Sequence, residues 1–266
     1  MKKTILKRFI TLLSCIFIFS LIISPVNATG SDRISLHSSV TGTDIYFYGK
    51  PWNHAMIYPE DMSIKPNVII IYLHGDGNNG KEIEDLVILA NIHHPLRYHR
   101  EDILPQPDDT IFICPQTHSD GEFLTKLDEL EAMISAISES SPDAKIILAG
   151  HESGATAAYQ IASEGNKNID GYVFISSNKP KKAKDLEFLA NALVVYGAED
   201  NNNHRAIFKN LFWEHDIADS TYTTECSFIE ELSNNAYFVG PWNPYNAPRI
   251  FLEDFFWEWL NNLNNT

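Results

Sequence analysis

The stretch AKIILAGHESGATAAYQIA, residues 144–162, decides how the rest of the chain is read. Four apolar residues, Ile146 to Ala149, run into Gly150 without a polar break, and beyond Gly154 small and apolar side chains recur at helical spacing through Ala158 and Ile161. An unbroken apolar run followed at once by a helical period predicts a buried strand that turns sharply into a helix. Gly150 and Gly154 bracket the turn as G-x-X-x-G. In such a turn the central side chain, here Glu152, is raised at the C-terminal edge of the sheet, its backbone is strained, and a Cβ two positions to either side would collide with backbone.

The rest of the chain supplies further strands of the same kind. Asn67 to Leu73, Thr110 to Pro115, Gly171 to Ser176, Ala192 to Gly197 and Ala236 to Gly240 are short apolar runs, and Asp32 to Val40 with Thr43 to Tyr48 reads as an antiparallel lead-in hairpin. Between them lie helical patterns: Lys81 to Ile92, the stripe Phe123, Leu124, Leu127, Leu130, Ile134 and Ile137, then Lys181 to Ala190 and a closing helix from Ile250 to Leu263. Strands alternating with helices predict an α/β fold: a mostly parallel sheet of about eight strands, helices on both faces, and Ile146 to Ala149 in its middle. Phe255, Phe256, Trp257 and Trp259 in the closing helix read as packing residues.

Three features carry a resemblance. His74-Gly75-Asp76-Gly77 follows a buried strand, Gly150 and Gly154 frame the turn, and Asp200 stands three residues past Gly197. In this order they resemble the α/β-hydrolase superfamily of esterases, lipases and peptidases. The resemblance implies that the backbone around Gly75 and Asp76, with the N–H of Ser153, faces the developing negative charge of an acyl intermediate. It implies that Asp200 orients a catalytic histidine, although an aspartate after a strand also caps helices.

The sequence departs from the family pattern at two positions. The family usually has serine at the turn's tip and this chain has Glu152; Ser153 reaches the tip only if the turn slips by one residue, which puts the bulky His151 where a small residue is needed. The histidine belongs in the loop after the last strand, where Gly240-Pro241-Trp242-Asn243-Pro244-Tyr245 places Trp242, and no histidine occurs after His215. An indole N–H only donates and cannot take a proton. Some family members use a carboxylate at the turn against alkyl halides and epoxides, but those also need the histidine, and Glu is one methylene longer than their Asp.

The shared C-terminal edge of parallel strands would gather His74, His118, His151, Glu152, Asp200 and His204. Three functions follow. The preferred one is a hydrolase-like protein without serine chemistry that binds a small-molecule, ester or peptide ligand in its cleft and uses no cofactor. The alternatives are an ester or peptide hydrolase using Ser153 with His118 or His204 as base, and a metal-dependent hydrolase with zinc on His118, His204 and Glu152 or Asp200. No H-x-x-x-H spacing supports the metal site, and each histidine also reads as an ordinary hydrogen-bonded loop residue. Substrate and oligomeric state are open at this level.

Composition bounds the class. At 266 residues, one α/β domain over residues 29–266 is expected, with residues 1–28 set apart. Lys2, Lys3, Lys7 and Arg8 lead an apolar run from Phe9 to Ile23 that closes on Val26-Asn27-Ala28, which reads as a secretory signal peptide cleaved after Ala28; an uncleaved anchor is the alternative. Removing those four cations takes the formal net charge from −15 to −19. So acidic a surface repels phosphate backbones and anionic lipid, so neither nucleic acid nor stable membrane association is expected of the mature protein. Export would permit a Cys114–Cys226 disulfide, and two separate buried thiols are the competing reading.

Overall fold

A computed structural model describes residues 34–37, 54–57, 64–80, 94–100, 103–177, 191–197, 229–233, 236–242 and 244–263. Nine strands are described: β1 (Ile34–His37), β2 (His54–Ile57), β3 (Val68–Leu73), β4 (Thr110–Pro115), β5 (Lys145–His151), β6 (Gly171–Ile175), β7 (Ala192–Gly197), β8 (Ile229–Ser233) and β9 (Ala236–Trp242). They form one sheet in the order β1-β2-β4-β3-β5-β6-β7-β9-β8. The six strands from β4 to β9 in that order run parallel, while β1, β2 and β8 add antiparallel edges. β5, the strand of the opening stretch, is central.

The central strands are buried on both faces, which is why they read as continuous apolar runs and not as alternation. Val68, Ile70 and Tyr72 of β3 face one core together with Phe112, Cys114, Ile147 and Ala149, and Ile69, Ile71 and Leu73 face the other. The first core is closed by the C-terminal helix α5 (Asp254–Asn262), which contributes Phe256, Trp257 and Trp259, with Phe251 ahead of it. Each such side chain contributes roughly 1.5–3 kcal/mol by leaving water. The second core is covered by α3 (Leu127–Ser140) and α4 (Ser153–Ser163). Two short helices, α1 (Pro95–Arg100) and α2 (Glu122–Thr125), sit before β4 and before α3.

Several boundaries differ from those read in the sequence. The antiparallel partner of β1 is His54–Ile57, a segment too short to announce itself; Thr43 to Tyr48 lies outside the described residues. β8 was not expected, and it brings the described strands to nine. The Phe123 to Ile137 stripe is carried by two helices, because Lys126 leaves helical geometry at φ −129°, ψ 39°. The closing helix begins at Asp254 after a 3-10 segment, Pro244–Leu252, that holds Pro248. β9 continues through Trp242, whose backbone is in register with Gly197, so Trp242 belongs to the end of a strand and not to the loop beyond it. The helices expected at 81–92 and 181–190 lie outside the described residues.

Among the described residues no helix is long and apolar enough to cross a membrane; residues 1–28 lie outside them. Among the described residues Cys114 is a free, buried thiol, pushed far above its ordinary pKa by burial. Cys226 lies outside the described residues.

Candidate active site

β5 ends at His151, and the next residue turns the chain. Glu152 stands at the tip with φ 49°, ψ −113°, a conformation an L-residue adopts only where its surroundings impose it. Its N–H donates to Ile175 O at 2.9 Å, and its carbonyl accepts from Thr156 N and Thr156 Oγ1, both at 3.0 Å. Close packing explains the two glycines. A Cβ on Gly150 would lie 2.4 Å from Gly154 O, and one on Gly154 would lie 2.3 Å from Leu73 O, so the start of α4 is pressed directly onto β5 and β3.

Ser153 is therefore the first residue of α4 and not the tip of the turn. It is buried, and its Oγ donates to Asp76 Oδ1 at 2.6 Å. A Cβ on Gly75 would meet Glu152 Oε2 at 2.6 Å and His151 Nδ1 at 3.0 Å, so the Glu152 carboxylate and the His151 ring both lie over Gly75. The position where a hydrolase gathers donors for an oxyanion has a carboxylate oxygen against it. The N-terminus of α4 favours that negative charge through the helix dipole.

The Gly75 loop is fixed by its neighbour, the loop between β4 and α2. Gly77 N–H donates to Asp120 Oδ1 at 2.8 Å, and reciprocally Gly121 N–H donates to Asp76 Oδ1 at 3.1 Å. Gly80 N–H donates to Thr117 O at 2.9 Å. His118 is exposed, its Nδ1 donating to Gly80 O at 3.1 Å, and its N–H donates to Glu122 Oε2 at 2.6 Å. Glu122 is buried against Lys126; burial alone would raise its pKa, but the Lys126 ammonium and the N–H groups of His118 and Ser119 bring it below the ordinary value.

His74 bridges the two loops. Its Nε2 accepts from Thr117 N–H at 3.2 Å, which leaves the ring proton on Nδ1, donating to Gly75 O at 2.8 Å. Burial lowers its pKa to about 4, against the opposing bond to Gly75 and the charges of Asp76, Asp120 and Glu122. With both nitrogens engaged, His74 orients the loop and is not placed to carry a substrate proton.

The edge thus brings together Gly75, Asp76, His151, Glu152 and Ser153, while His118 is tied back to Gly80. Asp200 and His204 lie outside the described residues. Among the described residues no three His, Cys, Asp or Glu side chains are grouped to hold a metal ion. Sequence reasoning passed over Asp120, Thr117, Tyr72, His94 and Gln116. The polar ends of otherwise apolar strands, Tyr72 in VIIIYL and Gln116 after TIFICP, were the available signals.

The sequence matches no family model and no curated protein. Solved structures do resemble the fold. A thermostable esterase superposes with TM-score 0.59 at 15% identity, covering 88% of this chain and 64% of its own, so this chain spans less than two thirds of the esterase's length. Est1E from Butyrivibrio proteoclasticus superposes with TM-score 0.51 at 10% identity, covering 88% of this chain and 100% of its own. With the central β5, the turn at Glu152 and the sheet order, these likenesses define the class: the chain has the α/β-hydrolase fold. Identities this low speak to the fold alone.

Proposed function

We propose that this is an exported α/β-hydrolase-fold protein that binds a small-molecule, ester or peptide ligand in its cleft without serine acyl-hydrolase chemistry. One observation carries the reading: Glu152 occupies the tip of the turn with its carboxylate over Gly75, while Ser153 is the first residue of α4 and its hydroxyl is bonded to Asp76. A carboxylate there repels the second negative oxygen that an acyl intermediate would develop, the reverse of oxyanion stabilisation. Trp242, whose backbone ends β9 beside Gly197, offers no proton acceptor.

The alternative of an active ester or peptide hydrolase draws on the 2.6 Å bond from Ser153 to Asp76, which gives the hydroxyl a carboxylate partner. A fluorophosphonate probe separates the two readings. Mature protein is expected to remain unlabelled and to turn over p-nitrophenyl acetate no faster than a Ser153→Ala variant. Stoichiometric labelling at Ser153, lost in Ser153→Ala, would establish the hydrolase instead. Turnover that survives Ser153→Ala and disappears with a chelator would point to a metal held with residues outside the described set.

A further inference from the structure

Three buried polar side chains near β3 and β4 have atoms with no hydrogen-bond partner among the described residues: the Tyr72 hydroxyl, His94 Nε2 and both ends of the Gln116 amide. Their exposures are 0%, 0% and 2%. Leaving such groups unsatisfied is costly, and native proteins rarely keep several together without a use for them. Ile71 is in register with Ile113 near the ends of β3 and β4, and Gln116 follows Pro115, the last residue of β4. The His94 ring stands edge-on to Tyr72 with centroids 4.8 Å apart.

Three of the four orphaned atoms can donate, and all are uncharged. His94 Nδ1 accepts from Leu96 N–H at 3.1 Å, and burial, reinforced by His74 and His151, holds the ring neutral, so its single proton is on Nε2. Burial also keeps the Tyr72 phenol protonated, with Tyr98, Cys114 and Glu152 adding to the effect. An imidazole N–H, a phenol O–H and an amide NH2 are uncharged donors that lack an acceptor oxygen, while Gln116 Oε1 is an acceptor that lacks a donor. An anion would be disfavoured by Glu152.

We propose that Tyr72, His94 and Gln116 form an uncharged donor set at the ends of β3 and β4 that receives the carbonyl oxygen of a neutral amide, ester or lactone. The inference rests on the cleft-binding reading above and deepens it: the ligand's carbonyl is held by these donors and not over Gly75, where Glu152 stands. Discrimination follows from the donors being neutral and Glu152 being charged. A neutral carbonyl compound is accepted, and a carboxylate of the same size is refused.

The test titrates N-methylacetamide, and separately sodium acetate, into 15N-labelled mature protein while the His94 ring nitrogens and the Gln116 side-chain amide are followed by NMR. The expected result is a saturable shift of His94 Nε2 and the Gln116 amide with N-methylacetamide, weakened at least tenfold in Tyr72→Phe, and no saturation with acetate. Tyr72→Phe removes one oxygen and keeps the ring; Gln116→Leu is the second variant, expected to weaken binding likewise. No saturation by N-methylacetamide, equal binding by acetate, or unchanged affinity in both variants would overturn the proposal. A water cross-peak to His94 Nε2–H that persists at saturating N-methylacetamide would also overturn it, since the donors would then be satisfied by bound water alone. Fluorophosphonate labelling of Ser153 would remove the broader reading and leave this readout standing; no labelling together with no His94 shift would remove only this inference.

Discussion

His74 has a titration that the folded state suppresses. Its ring is 2% exposed and hydrogen-bonded at both nitrogens, and its pKa falls from 6.5 to about 4. Between those values the unfolded chain binds a proton that the native chain does not, so stability rises with pH across this window. His74's contribution is complete above about pH 6.5 and is lost as pH falls toward 4, on the order of 3 kcal/mol in all. Burial lowers the pKa of His94 too, which adds in the same direction. Urea unfolding midpoints are expected to drop steadily from pH 7 to pH 4.5 in the native sequence and to drop less in His74→Gln. An unchanged slope in His74→Gln would mean that the ring is already charged in the folded protein.

At the scale of elements, two loops are joined by a reciprocal exchange, Gly77 to Asp120 and Gly121 to Asp76. Each bond runs from a backbone N–H to a carboxylate, a type worth about 1.5–3 kcal/mol where shielded and less at an exposed site. Both Asp residues are exposed, so Asp120→Ala should cost about 1 kcal/mol, and Asp76→Ala more, because it also leaves the buried Ser153 hydroxyl without its acceptor. Because both bonds hold the same pair of loops, the double variant is expected to cost less than the sum of the singles. A thermodynamic cycle from denaturant unfolding checks this, and strict additivity would mean that the loops are held independently. This coupling was invisible in the sequence, where Asp76 and Asp120 lie 44 positions apart and each reads as an ordinary turn residue. The elements themselves were far more legible. Ile146 to Ala149 and Val68 to Leu73 read as strands because both their faces are buried, and the glycines at 150 and 154 located the turn because they leave room for close backbone approach. Short strands such as β2 and β8 escaped, being four and five residues long and, in β8, carrying Glu230 and Glu231. Orphaned polar groups such as the Tyr72 hydroxyl could not be read at all, because a missing partner is a property of three-dimensional packing.

Over the whole molecule, the sheet of the described residues begins at Ile34, a few residues past the small-residue triplet Val26-Asn27-Ala28. We propose that residues 1–28 direct export and are removed. The four basic residues of the chain's first eight positions, followed by an apolar run and small residues at positions 26 and 28, have the order that translocation and a signal peptidase require. The remainder then carries a formal charge of −19, the initial −15 less those four cations, which opposes adhesion to an anionic membrane surface. Expression of the full chain in a bacterial host with a secretion pathway, followed by intact-mass and N-terminal peptide analysis of the exported fraction, is expected to give a mature protein beginning at Thr29. The Ala28→Arg substitution should block cleavage, since a large cation cannot enter the small pocket that reads that position, and should leave the full-length chain with the membrane. Full-length native protein confined to the membrane fraction, with no species beginning near Thr29, would instead make the apolar segment an anchor, and the ligand-binding cleft would then work tethered to a bilayer.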